Sequence, residues 1–267
     1  VIQTGCFGEK GTAAMTAWLS EWLVIVDVAP LPLGLLVGTA VLAGLVRGFS
    51  GFGAAMVMMP VLIAILGPLV AVPTLSVMDT ALTMPMAVRA WWRCHWRSVA
   101  ALAAGSLLAI PMGIWALLVI DPGIVRWIVS VFVIIAVILL ASGWRYRKPV
   151  SLPVTTAIGG AAGFASGMIS LSGPIIVLFW LASQMNASGT RNNILAYFGI
   201  TGVMSFAAYL IGDLMTLRVW ALILLLAPVY GLSLYLGARM FVFASERVYR
   251  RLALGLISLV AISSLVL

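Results

Sequence analysis

The chain has 267 residues, of which 64% are apolar and only 8% charged, and its mean hydropathy is +1.21. A soluble domain of this size carries about a quarter charged residues, so this composition excludes a water-soluble globule and requires a bilayer as solvent. The net charge of +8 does not indicate nucleic acid, because the charges sit in short gaps between apolar runs and build no basic face.

Residues 1–28 read as an N-terminal tail and interfacial segment without a signal-peptide pattern. Ten apolar segments follow. The first five are 31–46, 54–66, 71–88, 99–120 and 124–143; the second five are 154–166, 174–185, 193–211, 219–236 and 248–267. The expected fold class is therefore an all-α polytopic membrane protein.

The two halves resemble each other. GLVRG (44–48) and GFASG (163–167) share Gly-x-x-x-Gly at an offset of 119 residues. A Ser/Gly cluster follows each, SGFG (50–53) and SLSGP (170–174). Pro111 and Pro228 fall within the fourth segment of each half, and Arg126 and Arg250 open the fifth. Five segments per half, an odd number, place the halves upside down relative to each other. This pattern predicts a transmembrane repeat 1 over 29–148 and an inverted repeat 2 over 149–267.

Basic residues set the expected orientation. Counted on alternating sides, twelve Lys and Arg fall on one side and three on the other. The positive-inside rule places the basic loops in the cytoplasm and both termini outside, in a cell (inner) membrane protein that crosses several times. Trp91, Trp92, Trp96 and Trp144 lie on the basic side, as an interfacial aromatic belt would. Cys6 and Cys94 then lie on opposite faces and cannot form an intrachain disulfide.

The first two segments of each half are short for a hydrocarbon core of about 30 Å, at about 18–24 Å each. Each pair is expected to form a short broken, re-entrant-like hairpin, one entering from either side, with the two tips meeting near the midplane. Helices starting after the breaks present free N–H groups and positive dipole ends, a ready anion site. The candidate substrate-binding residues are Arg47, Ser50, Gly51, Phe52, Gly53, Ser170, Leu171, Ser172, Gly173, Asn192 and Asn193. Simpler roles compete. The Gly-x-x-x-Gly pairs suit close helix packing, Arg47 could snorkel to the interface, and Asn192 and Asn193 could cap the eighth segment. Asp79, in the middle of the third segment, either carries a coupling proton or pairs with Arg47. The single His95 and two cysteines offer no metal cluster and no catalytic constellation, so no metal, cofactor or enzymatic activity is expected.

GTAVLAGLVRGFSGFGAAMVMMPVL with AVPTLSVMDT resembles the first repeat of the sulfite exporter TauE/SafE family, and GGAAGFASGMISLSGPIIVLFW with TRNNILAYF its second. The resemblance spans nearly everything from about Leu31 onward. It implies a permease, usually an exporter, of small sulfur-containing anions such as sulfite, sulfoacetate and other organosulfonates. An anion channel and a proton-coupled importer of a small organic anion are the alternatives. The partners it implies are that anion, the lipid bilayer and, as an open option, a second copy in a homodimer. The sequence departs from the family in its first break, which reads GFSGF after Arg47 where a run of glycines is usual.

Overall fold

The computed structural model describes residues 28–141, 150–181 and 187–243. The tail before residue 28, the linker residues 142–149, the end of the seventh predicted segment and the whole tenth (248–267) lie outside the described residues. Cys6, Trp144 and the basic residues 145–148 and 247–251 lie outside with them.

The described residues are helical and contain no strand. In order they form α1 (Pro30–Ser50), α2 (Ala54–Leu66), α3 (Pro68–Trp91), α4 (Trp96–Val119), α5 (Pro122–Ala141), α6 (Leu152–Ile169), α7 (Gly173–Leu181), α8 (Ala187–Ile211) and α9 (Leu217–Phe243). Six of them, α1, α3, α4, α6, α8 and α9, are long and apolar enough to cross a membrane. Helices satisfy every backbone polar group internally, which is what hydrocarbon demands.

The lengths of α1 and α6 correct the expectation of two short hairpins. At 21 and 18 residues they extend about 31 and 27 Å, so each is long enough to span by itself. α2 is short, with 13 residues, and the described part of α7 has 9. Glycine and arginine do not interrupt a helix as long as each N–H finds its carbonyl, and α1 stays helical through Arg47, Gly48, Phe49 and Ser50. The segment expected to stop at residue 46 thus runs four residues further, and the break occupies 51–53, inside the Ser/Gly cluster 50–53. Gly51 ends α1 in the left-handed region at φ 81°, with its N–H on the Arg47 carbonyl, and Gly53 opens α2 at φ 92°. Glycine takes this conformation without a Cβ penalty.

The glycines inside α1 and α6 serve packing. A Cβ on Gly44 would come within 2.6 Å of the Tyr230 carbonyl, and one on Gly48 would overlap the Leu234 backbone. Gly163 and Gly167 meet Ser106 and Ile110 of α4 in the same way. Thus α1 lies against α9 and α6 against α4 with backbones nearly touching, the known use of small residues between membrane helices. The first helix of each half is packed on the fourth helix of the other, and α3 is packed on α8. At the two breaks the helix boundaries keep the offset of 119 residues: α1 and α6 end at Ser50 and Ile169, and α2 and α7 begin at Ala54 and Gly173.

Candidate functional site

Both breaks open onto a cavity of about 60 Å³. The first break contributes Gly53 and the start of α2 (Ala54, Ala55, Met56), and the second contributes Ser170, Leu171, Ser172, Gly173 and Pro174. Arg47 of α1, Ser76, Asp79 and Thr80 of α3, Ser166 of α6, and Phe198 and Thr201 of α8 complete most of the wall. A volume of that size holds a few water molecules or one compact anion.

Arg47 is 3% exposed; it does not snorkel. Its guanidinium meets Asp79 as a fork, Nε donating to Oδ1 at 2.9 Å and Nη2 lying 2.8 Å from Oδ2. Nη1 donates to the Gly51 carbonyl, which ties the cation to the break itself. One face of the guanidinium lies 4.6 Å from the ring centroid of Phe198, a cation–π distance. From α9 the Tyr230 hydroxyl donates to Asp79 Oδ1 at 2.5 Å. Asp79 keeps 20% of its side-chain surface open. Two-point pairing with extra hydrogen bonds is the arrangement in which a buried ion pair is sustained.

The offset between the halves shows what is asymmetric here. Positions 119 residues after Arg47 and Asp79 are Ser166 and Phe198. Both line the cavity, but neither is charged. The charge pair thus belongs to the first half alone, and Phe198 supplies an aromatic face where Asp79 supplies a carboxylate.

With Arg47 neutralised by Asp79, positive potential remains at the helix starts. α2 has Gly53 at its N-cap and no side-chain capping bond, so its first-turn N–H groups are left to whatever fills the cavity. A helix N-terminus carries about half a positive charge. At the second break Ser170 takes a left-handed φ of 54°, with its N–H on the Ser166 carbonyl and its hydroxyl 3.4 Å from the Val72 carbonyl. The turn directs Ser172 and Gly173 into the cavity wall.

Of the residues singled out from sequence, Arg47, Gly53, Asp79, Ser170, Leu171, Ser172 and Gly173 come together at this cavity. Ser50, Gly51 and Phe52 stand behind its wall. Ser50 Oγ lies 2.7 Å from the Val46 carbonyl and 2.6 Å from that of Phe52, and accepts the Phe52 N–H at 3.2 Å, so the hydroxyl braces the break. Gly51 backs onto Arg191, and Phe52 is buried in the core. Asn192 and Asn193 are not at the site. Nor do they cap a helix, because α8 begins earlier, at Ala187. Asn193 is buried and accepts the His95 N–H at 2.8 Å.

Sequence reasoning missed Ser76, Thr80, Ser166, Phe198, Thr201 and Tyr230. Ser166 and Phe198 could have been found by applying the offset to Arg47 and Asp79. Ser76 and Thr80 flank Asp79 at helical spacings that share or border its face. Nothing in the sequence marks Tyr230, which reaches Asp79 across the contact between α9 and α3.

Fold and site together define a multi-pass, helical membrane protein with a small charged cavity where two helix starts converge. The chain belongs to the sulfite exporter TauE/SafE family, whose model matches residues 36–264. That family consists of membrane transporters of the sulfite-exporter type. Among curated proteins and among solved structures, none matches the chain.

Proposed function

We propose that the chain exports a small sulfur-containing anion, such as sulfite, sulfoacetate or another organosulfonate, by alternating access at the cavity between the two breaks. The observation that carries this reading is the convergence of both helix starts on the Arg47–Asp79 pair in one small cavity. Main-chain N–H groups and a guanidinium bind an oxyanion, whereas a cation site would need converging carbonyls and carboxylates. The volume of about 60 Å³ favours a compact anion over a bulky aromatic one. Reciprocal packing of α1 on α9 and α6 on α4 supports an inverted-repeat arrangement, in which one bundle rocks against the other around a fixed site.

Energetics favour export. A monoanion leaving a cell with 100 mV negative inside gains about 2.3 kcal/mol, a gradient of about 50-fold at about 1.4 kcal/mol per decade. The basic ends of the helices face the cytoplasm in this reading, and both termini face outward.

Proton-coupled import is a second reading, favoured by one feature. Asp79 is part-exposed in the cavity while it neutralises Arg47, so its protonation would free the guanidinium for substrate. Purified protein in proteoliposomes tests both. Saturable sulfite efflux with counterflow, abolished by Arg47→Ala, supports the carrier. Linear, non-exchanging flux identifies a channel, and flux that stays driven by a pH gradient in Asp79→Asn removes Asp79 as proton carrier.

A further inference from the structure

A second and larger cavity, of about 780 Å³, lies between α3, α8 and α9. Arg89 on α3, Arg93 in the turn after it, Arg191 on α8 and Arg239 on α9 line it, and no carboxylate does. Among the described residues the salt bridge is Arg47–Asp79, so no described carboxylate neutralises Arg89, Arg93 or Arg239. Like charges converging in a concave surface with low-dielectric walls raise the local concentration of counter-ions.

Arg191 connects this cavity to the central one. Its Nη2 donates to the Gly48 carbonyl at 2.8 Å, and a Cβ on Gly51 would come within 3.2 Å of its Cγ. Gly51 in turn offers its carbonyl to Arg47. One side chain and one turn of backbone therefore separate the arginine-lined cavity from the Arg47–Asp79 site.

We infer that the arginine-lined cavity is a second anion site, a vestibule that holds a small oxyanion such as sulfite before it passes to the central cavity, with Arg191 as the partition between them. Its transport role rests on the function proposed above; its binding of an oxyanion does not. The positive wall gathers the anion, and the bond from Arg191 to Gly48 must open for the anion to move inward. Anionic lipid headgroups share this oxyanion chemistry, so the test separates the two.

Trp92 lines the cavity and is 87% exposed, which makes it a reporter. The protein, labelled with 5-fluorotryptophan and held in zwitterionic nanodiscs, is titrated with sulfite at constant ionic strength set by chloride, with the Trp92 resonance assigned through Trp92→Phe. A saturable 19F shift is expected in the wild type and in Arg47→Ala, and none in the triple variant Arg89→Gln/Arg93→Gln/Arg239→Gln, whose changes fall on exposed side chains. In proteoliposomes the triple variant should lose about tenfold of its flux at low sulfite and recover at saturating sulfite. No saturable shift, or the same shift in the triple variant, overturns the site. A shift that appears only on adding phosphatidylglycerol, and not with sulfite, also overturns it in favour of a headgroup. Binding in the titration without any sulfite flux refutes the transport reading and upholds the site.

Discussion

Replacing Arg47 by alanine leaves Asp79 in the cavity wall with the Tyr230 hydroxyl donating to one of its oxygens. Breaking a buried pair costs about 3–5 kcal/mol because the surviving charge loses its partner without regaining water. Asp79 retains 20% of its side-chain surface, so water in the cavity replaces part of what is lost, and Arg47→Ala should cost about 3 kcal/mol. Asp79→Ala is expected to cost more, about 5 kcal/mol, because Arg47 is 3% exposed and keeps only the Gly51 carbonyl and the Phe198 face. Removing both charges should cost about 3 kcal/mol less than the sum of the two single changes. Unfolding in mixed detergent micelles titrated with sodium dodecyl sulfate measures all four proteins. Sulfite flux in proteoliposomes, run beside it, should vanish in every variant, including the double variant that has regained stability. Additivity within about 0.5 kcal/mol would show that the two side chains do not act as a unit. Flux retained in the double variant would remove the pair from transport.

Tyr230→Phe deletes a hydrogen bond to a carboxylate, which is worth about 1.5–3 kcal/mol, and should lower stability by that amount in the same titration. Gly48→Ala forces a Cβ into the Leu234 backbone of α9 and should destabilise by at least about 1–3 kcal/mol. Gly38→Ala, on the same helix with nothing within 4 Å, should be neutral or stabilising by up to about 1 kcal/mol; equal melting temperatures for the two would contradict the packing role. Gly53→Ala places a side chain at φ 92°, with Val46 Cγ1 3.0 Å away. It should reduce sulfite flux more than it reduces stability, because it turns the start of α2 away from the cavity. In a Cys6→Ser/Cys94→Ser background, Trp92→Cys, at an exposed position on the basic side, should resist a membrane-impermeant maleimide in intact cells and react after permeabilisation. Labelling in intact cells would reverse the orientation.

Much of this architecture is legible in one dimension because the bilayer imposes a simple rule. Hydrocarbon rejects charge and unpaired backbone, so apolar runs bounded by Arg, Pro and Gly had to be helices, and α2 runs over 54–66 as the pattern predicts. The repeat offset of 119 residues likewise follows from matching letters and reappears in the helix boundaries on either side of the breaks. Helix ends were less legible. Arg47 and Gly48 are rare inside a membrane helix, so the pattern ends the first segment at residue 46, yet Gly48 keeps α1 close to α9, Arg47 finds Asp79, and α1 runs on to Ser50. Whether such residues interrupt a helix depends on what faces them.

Three-dimensional packing decided the site. Arg47 and Asp79 are 32 residues apart, and Tyr230 is a further 151 from Asp79; no periodicity links them. Ser50 carries the same hydroxyl as Ser172, but Ser50 braces its own turn while Ser172 lines the cavity. Composition and hydrophobic period thus settle that the chain is a bundle of membrane helices, since those depend on transfer energies that each residue carries with it. Which polar groups share a cavity is a matter of distance across helices, and distance exists only once the helices have packed.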